Sequence, residues 1–110
     1  MGELRVTNTP HDIISRSGTS AQFNCTVEGL SSRETLTWWH HNAHTGSLKL
    51  FVSNPSINKQ LPYQLDSSKY EIKGRYNLVV KDIGISDSGT YTCDISGYEN
   101  YTATLTVVGK

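Results

Sequence analysis

Seven residues late in the chain, Asp87-Ser88-Gly89-Thr90-Tyr91-Thr92-Cys93, close a pattern that Cys25 opens and Trp38 divides. Cys25 lies in an alternating run in which Ala21, Phe23, Cys25 and Val27 share one face. Cys93 lies in another, with Tyr91 and Ile95. Side chains change face at each step of a strand, so both thiols point to one interior. Leu36 and Trp38 point there from the strand next in sequence after Cys25. Two sheets pack about 10 Å apart, and two inward cysteines can bridge them; the alternative is a pair of buried free thiols. A bridge would close a loop of about 68 residues and remove roughly 4 kcal/mol of freedom from the unfolded chain. It would also imply a secreted or extracellular setting.

The rest of the chain is consistent with an all-β domain. No helix-period segment of useful length occurs, and short β-rich runs alternate with Gly, Asn, Ser and Pro. The expected strands are residues 4–7, broken at Pro10, with Ile13-Ile14 continuing the edge; then 19–27, 35–40 and 48–52. Residues 54–65, with two prolines, read as an irregular edge strand and loops. Residues 70–72 and 76–80 form a hairpin across Gly74, and 90–95 and 101–108 form the last hairpin. Inward rows are Leu78, Val80 and Ile83, then Tyr91, Cys93 and Ile95, then Ala103, Leu105 and Val107.

Ten basic residues balance ten acidic ones in 110, and no Lys/Arg cluster stands out. That argues against nucleic acid or anionic membrane as a partner. No apolar run approaches the roughly 20 residues of a membrane span, so a membrane would be met only through a segment outside this chain. Met1-Gly2 reads as an added start. The chain is therefore expected to be one domain over residues 1–110, cut from a longer ectodomain. No nucleophile turn and no phosphate loop are present, so neither catalysis nor a cofactor is expected. His40, His41 and His44 are the candidate metal ligands. His40 and His41 fall on opposite faces of one strand and cannot share an ion there.

The pattern Cys25…Trp38…Leu78-x-Val80-x-x-Ile83-x-x-x-Asp87-x-Gly89-x-Tyr91-x-Cys93 resembles the immunoglobulin superfamily over nearly the whole chain. The resemblance implies an immunoglobulin-like two-sheet β-sandwich with Greek-key connections and a Cys25–Cys93 disulfide between the sheets. The long interval from Trp38 to Cys93 resembles the variable (V-set) type. Tyr91 matches the tyrosine-corner position, and Asp87 is expected to pair with a cation. Lys69 is the first candidate for that cation and Arg75 the second, in a near-surface pair worth less than about 1 kcal/mol. Gly97-Tyr98-Glu99-Asn100-Tyr101-Thr102 replaces the Phe/Trp-Gly-x-Gly bulge of antigen receptors. The closer likeness is to cell-surface adhesion and recognition domains.

That likeness implies protein–protein recognition at the cell surface, homophilic or heterophilic, through the sheet made by the last hairpin and its neighbours. With Trp38 in the core, Trp39 faces outward on this sheet. By likeness to antibody light chains, His41 and Leu50 join it at positions that face a partner domain. Asp94 also points outward, as do Thr90, Thr92, Thr102, Thr104 and Thr106, while Tyr98 and Tyr101 border the surface. Exposed Trp and Tyr favour such contacts because they bury much area at small entropic cost. The alternative is a secreted binder of carbohydrate or microbial surfaces, working through end loops at 30–34, 54–60 and 97–100. Asn24-Cys25-Thr26 and Asn100-Tyr101-Thr102 are N-glycosylation sequons. Asn24 is expected on the opposite sheet, and Asn100 at the end of the proposed interface.

Overall fold

A computed structural model describes residues 4–31, 33–53 and 68–109. The elements in chain order are β1 (Arg5–Asn8), β2 (Ile13–Arg16), β3 (Ala21–Phe23), β4 (Thr26–Glu28), β5 (Leu36–Asn42), β6 (Gly46–Ser53), β7 (Tyr70–Lys73) and β8 (Asn77–Val80). A 3-10 turn (Ile85–Asp87), β9 (Gly89–Ile95) and β10 (Glu99–Val108) complete them. Among the described residues, the front layer is one five-stranded sheet in the order β2-β10-β9-β5-β6. The back layer consists of β3-β8-β7 and the β1-β4 pair. The expected segment at 54–65 lies outside the described residues.

The expected strand at 19–27 is two strands with a break. At Asn24-Cys25 the ladder is interrupted, and the Cys25 N–H donates instead to Asn77 Oδ1 at 2.9 Å. Near the N-terminus Pro10 is buried; it has no N–H to give a ladder. The chain does not continue the same edge beyond it. β1 pairs antiparallel with β4 in the back layer, whereas β2 crosses over and pairs parallel with β10.

The inward rows meet in one core. Phe23, Leu36, Trp38, Leu78, Val80, Tyr91 and Cys93 are fully buried. Cys25 and Cys93 form a disulfide between the layers, with Cα atoms 6.6 Å apart. Trp38 lies opposite Cys93 in the register of β5 and β9. Its indole N–H donates to the Tyr76 carbonyl at 2.6 Å. Aromatic rings then run through the core: Trp38 to Phe23 at 6.5 Å, Phe23 stacked on Tyr91 at 4.8 Å, and Tyr91 stacked on His40 at 4.2 Å. Every buried side-chain nitrogen and oxygen among the described residues has a hydrogen-bond partner.

The turn before β9 holds the lower end of this core. The Tyr91 hydroxyl donates to the Asp87 carbonyl at 2.7 Å. Asp87 Oδ2 accepts from Lys69 Nζ at 2.6 Å and from the Gly84 N–H at 2.8 Å. The Lys69–Asp87 pair is deeper than the near-surface pair expected, with side chains 27% and 9% exposed. The small energy of an exposed pair therefore does not apply to it. Gly89 follows at φ +136, where an added Cβ would lie 2.2 Å from the His41 carbonyl oxygen. No side chain fits between these two strands.

Candidate functional site: the outer face of the front sheet

Register sets the outward rows of the front layer. Asn100 on β10 lies opposite Asp94 on β9, and Asp94 opposite Thr37 on β5. One step along, Thr102 lies opposite Thr92, Thr92 opposite Trp39, and Trp39 opposite Lys49 on β6. One step further, Thr90 lies opposite His41, and His41 opposite Ser47. Together these rows enclose an open depression of about 450 Å³, with Trp39 as its apolar surface and carboxylate, amide and hydroxyl groups from Asp94, Asn100, Thr92 and Thr102 around it.

The polar groups of this face are already organised. Thr92 and Thr102 share a hydroxyl hydrogen bond of 2.8 Å. His41 Nδ1 and Ser47 Oγ are 2.7 Å apart. Lys49 Nζ stands 5.4 Å from the Trp39 ring centroid, a cation–π contact approached from β6. Trp39 is half-buried beneath these neighbours rather than fully exposed.

Two residues assigned to this face belong elsewhere. Leu50 is buried at 2% exposure. The β5–β6 register slips between Trp38 and Trp39, so Trp38 faces Phe51 while Trp39 faces Lys49. Leu50 is the extra residue of a β-bulge, and the parity of β6 reverses there. Lys49 takes the surface place expected of Leu50. Tyr101 lies opposite Cys93 on the inward parity and packs half-buried against the core. Tyr98 is exposed in the turn beyond β9, where its N–H donates to the Ile95 carbonyl. With Asp94 and Asn100 it lines a smaller depression at the end of the sheet.

The histidines divide by face. His40 points inward, 4% exposed, with Nε2 3.3 Å from the Ser88 carbonyl oxygen. Burial holds its pKa below the usual histidine value, while the Ser88 carbonyl opposes that shift. His41 points to the outer face, and His44 sits exposed in the turn after β5. Asn24 is half-buried at the break between β3 and β4, with Oδ1 accepting from Gln22 Nε2 at 2.9 Å. It belongs to the back layer, away from Trp39.

A family model described as an immunoglobulin domain matches residues 5–96. This chain belongs to the immunoglobulin-domain family. Among solved structures, the immunoglobulin domain described here is similar to the crystal structure of the RIG-5 IG1 homodimer, at 21% identity and a TM-score of 0.74. The match covers 97% of this chain and 99% of that one. The likeness establishes the shared sandwich fold. No curated protein matches the sequence. Immunoglobulin domains are generally non-catalytic recognition modules, and the disulfide of this one fits an extracellular domain. Among the described residues, no helix is long and apolar enough to cross a membrane.

Proposed function

We propose that this is a V-type domain from a longer cell-surface ectodomain, and that its front sheet docks a second immunoglobulin-like domain, a second copy of itself included. The observation that carries the reading is Trp39, half-buried at the centre of the outer face and ringed by polar groups. A large aromatic surrounded by polar groups is how a binding hot spot is built. The hydroxyls of Thr90, Thr92, Thr102 and Thr104 suit a small, partly hydrated and reversible contact of micromolar order. The parallel β2–β10 pairing and the five-stranded front layer support the V-type assignment. The solved relative is itself a homodimer.

Sedimentation of the domain alone, and of its Trp39→Ala variant, tests this. The wild-type domain, produced without glycan, is expected to self-associate or to bind an immunoglobulin-like partner in a concentration-dependent way. The variant, with its fold intact by circular dichroism, is expected to lose at least about tenfold in affinity, as hot-spot truncations do. Unchanged association would overturn the proposal.

A further inference from the structure

Asn100 carries a sequon, Asn100-Tyr101-Thr102, and its side chain lines the same depression as Trp39. Asn100 is exposed in the second position of β10 and directly opposite Asp94. We propose that Asn100 is N-glycosylated and that the first N-acetylglucosamine of its glycan occupies the depression over Trp39, so that the glycosylated form is masked and the docking proposed above, on which this last step rests, belongs to the unglycosylated form.

The modification balances simply. Asn100 Nδ2 displaces the diphosphate of a lipid-diphosphate-linked oligosaccharide at the anomeric carbon. The C1–O bond breaks, a C1–Nδ2 bond forms, and the amide proton leaves to a base of the transferase. The disulfide fits passage through an oxidising secretory compartment, the setting in which such transfer occurs. Because Asn100 remains exposed after folding, the sandwich accommodates the product.

Geometry sends that sugar toward Trp39. Asn100 and Trp39 are two strands and two residues apart, about 12 Å between Cα atoms at ordinary strand spacing. The asparagine side chain, one sugar ring and the indole together bridge such a span. The depression, at about 450 Å³, has room for one sugar residue. Its chemistry is also that of a sugar site. The indole offers an apolar face to the ring C–H groups. The Asp94 carboxylate can accept from the N-acetyl N–H, and the Thr92–Thr102 hydroxyl pair can exchange bonds with ring hydroxyls. Lys49 meets Trp39 from β6, which leaves the side toward β9 and β10 for the sugar.

The two tryptophans supply the readout. Trp38 is fully buried, so collisional quenching of emission by acrylamide reports Trp39 alone. The domain, secreted from a eukaryotic cell, is expected to carry a glycan at Asn100 by peptide mass mapping. Covering one ring face is expected to lower the quenching constant about twofold relative to Asn100→Gln. Endoglycosidase trimming to a single N-acetylglucosamine is expected to keep that protection, and Asn24→Gln to leave it unchanged. The proposal is overturned if Asn100 is unmodified, if Asn100→Gln quenches like wild type, or if trimming to one sugar restores access. None of these measurements requires a partner. A domain that fails to associate in either form would refute the docking reading alone.

Discussion

Replacing Lys69 with methionine tests the energetics of the corner beneath β9. In the native domain Asp87 Oδ2 accepts from Lys69 Nζ at 2.6 Å and from the Gly84 N–H at 2.8 Å. Lys69→Met leaves a carboxylate that is 9% exposed with, among the described residues, the Gly84 N–H as its remaining hydrogen-bond donor. Removing one partner of a fully buried pair costs about 3–5 kcal/mol. Lys69 keeps 27% exposure, so water bears part of the load, and the expected loss is about 2 kcal/mol. Asp87→Asn keeps an oxygen for the Gly84 N–H, and Lys69 retains the Asp82 carbonyl at 3.0 Å; its expected loss is about 1 kcal/mol. The double variant should be less destabilised than the sum of the singles by about 1 kcal/mol. Urea unfolding followed by circular dichroism, with the disulfide intact and m-values compared, measures all three. The reasoning fails if Lys69→Met lies within about 0.5 kcal/mol of wild type, or if Asp87→Asn proves the costlier change.

The buried His40 makes stability depend on pH. Its folded pKa lies below the unfolded value of about 6.5, so the unfolded chain binds the proton more readily. Stability from this group is present above about pH 6.5 and falls as pH drops toward the folded pKa. Urea midpoints across that range should show the fall, and His40→Phe, which can still stack on Tyr91, should flatten it; a midpoint that rises on acidification would contradict the assignment. Gly89→Ala forces a Cβ to within 2.2 Å of the His41 oxygen at a φ of +136. A loss of about 3 kcal/mol or more is expected, and thermal unfolding that places the variant within about 1 kcal/mol of wild type would show that the strands can part.

The core was legible because its signal is local. Alternation places Phe23, Cys25, Trp38, Tyr91 and Cys93 inward with no knowledge of the neighbours, and two half-cystines then bring the layers together. The outer face was legible only in part. Trp39 follows from Trp38 by simple parity, as does Asp94 from Cys93. Leu50 does not, because a bulge is a property of a strand pair; nothing in Ser47-Leu48-Lys49-Leu50-Phe51-Val52 marks which residue is extra. Tyr101 differs for the opposite reason. It shares the inward parity of Ala103 and Leu105, and the exposed turn beside it obscures that signal. The depth of the Lys69–Asp87 pair depends on how the β7–β8 hairpin closes over the turn, a contact between segments that no single stretch of sequence encodes.

The bulge in β6 also bears on how this surface could change over evolutionary time. An ungapped alignment to a relative without the bulge would shift each position beyond it by one, and would score a core leucine against a surface residue. Deleting one residue between 48 and 51 would oblige β6 to choose between exposing Leu50 and burying Lys49. Insertions and deletions in this short stretch therefore act on the face and the core together, whereas point changes at Lys49 can alter the face alone. Diversification of the surface around Trp39 is thus expected to proceed by substitution, with the length of β6 held constant.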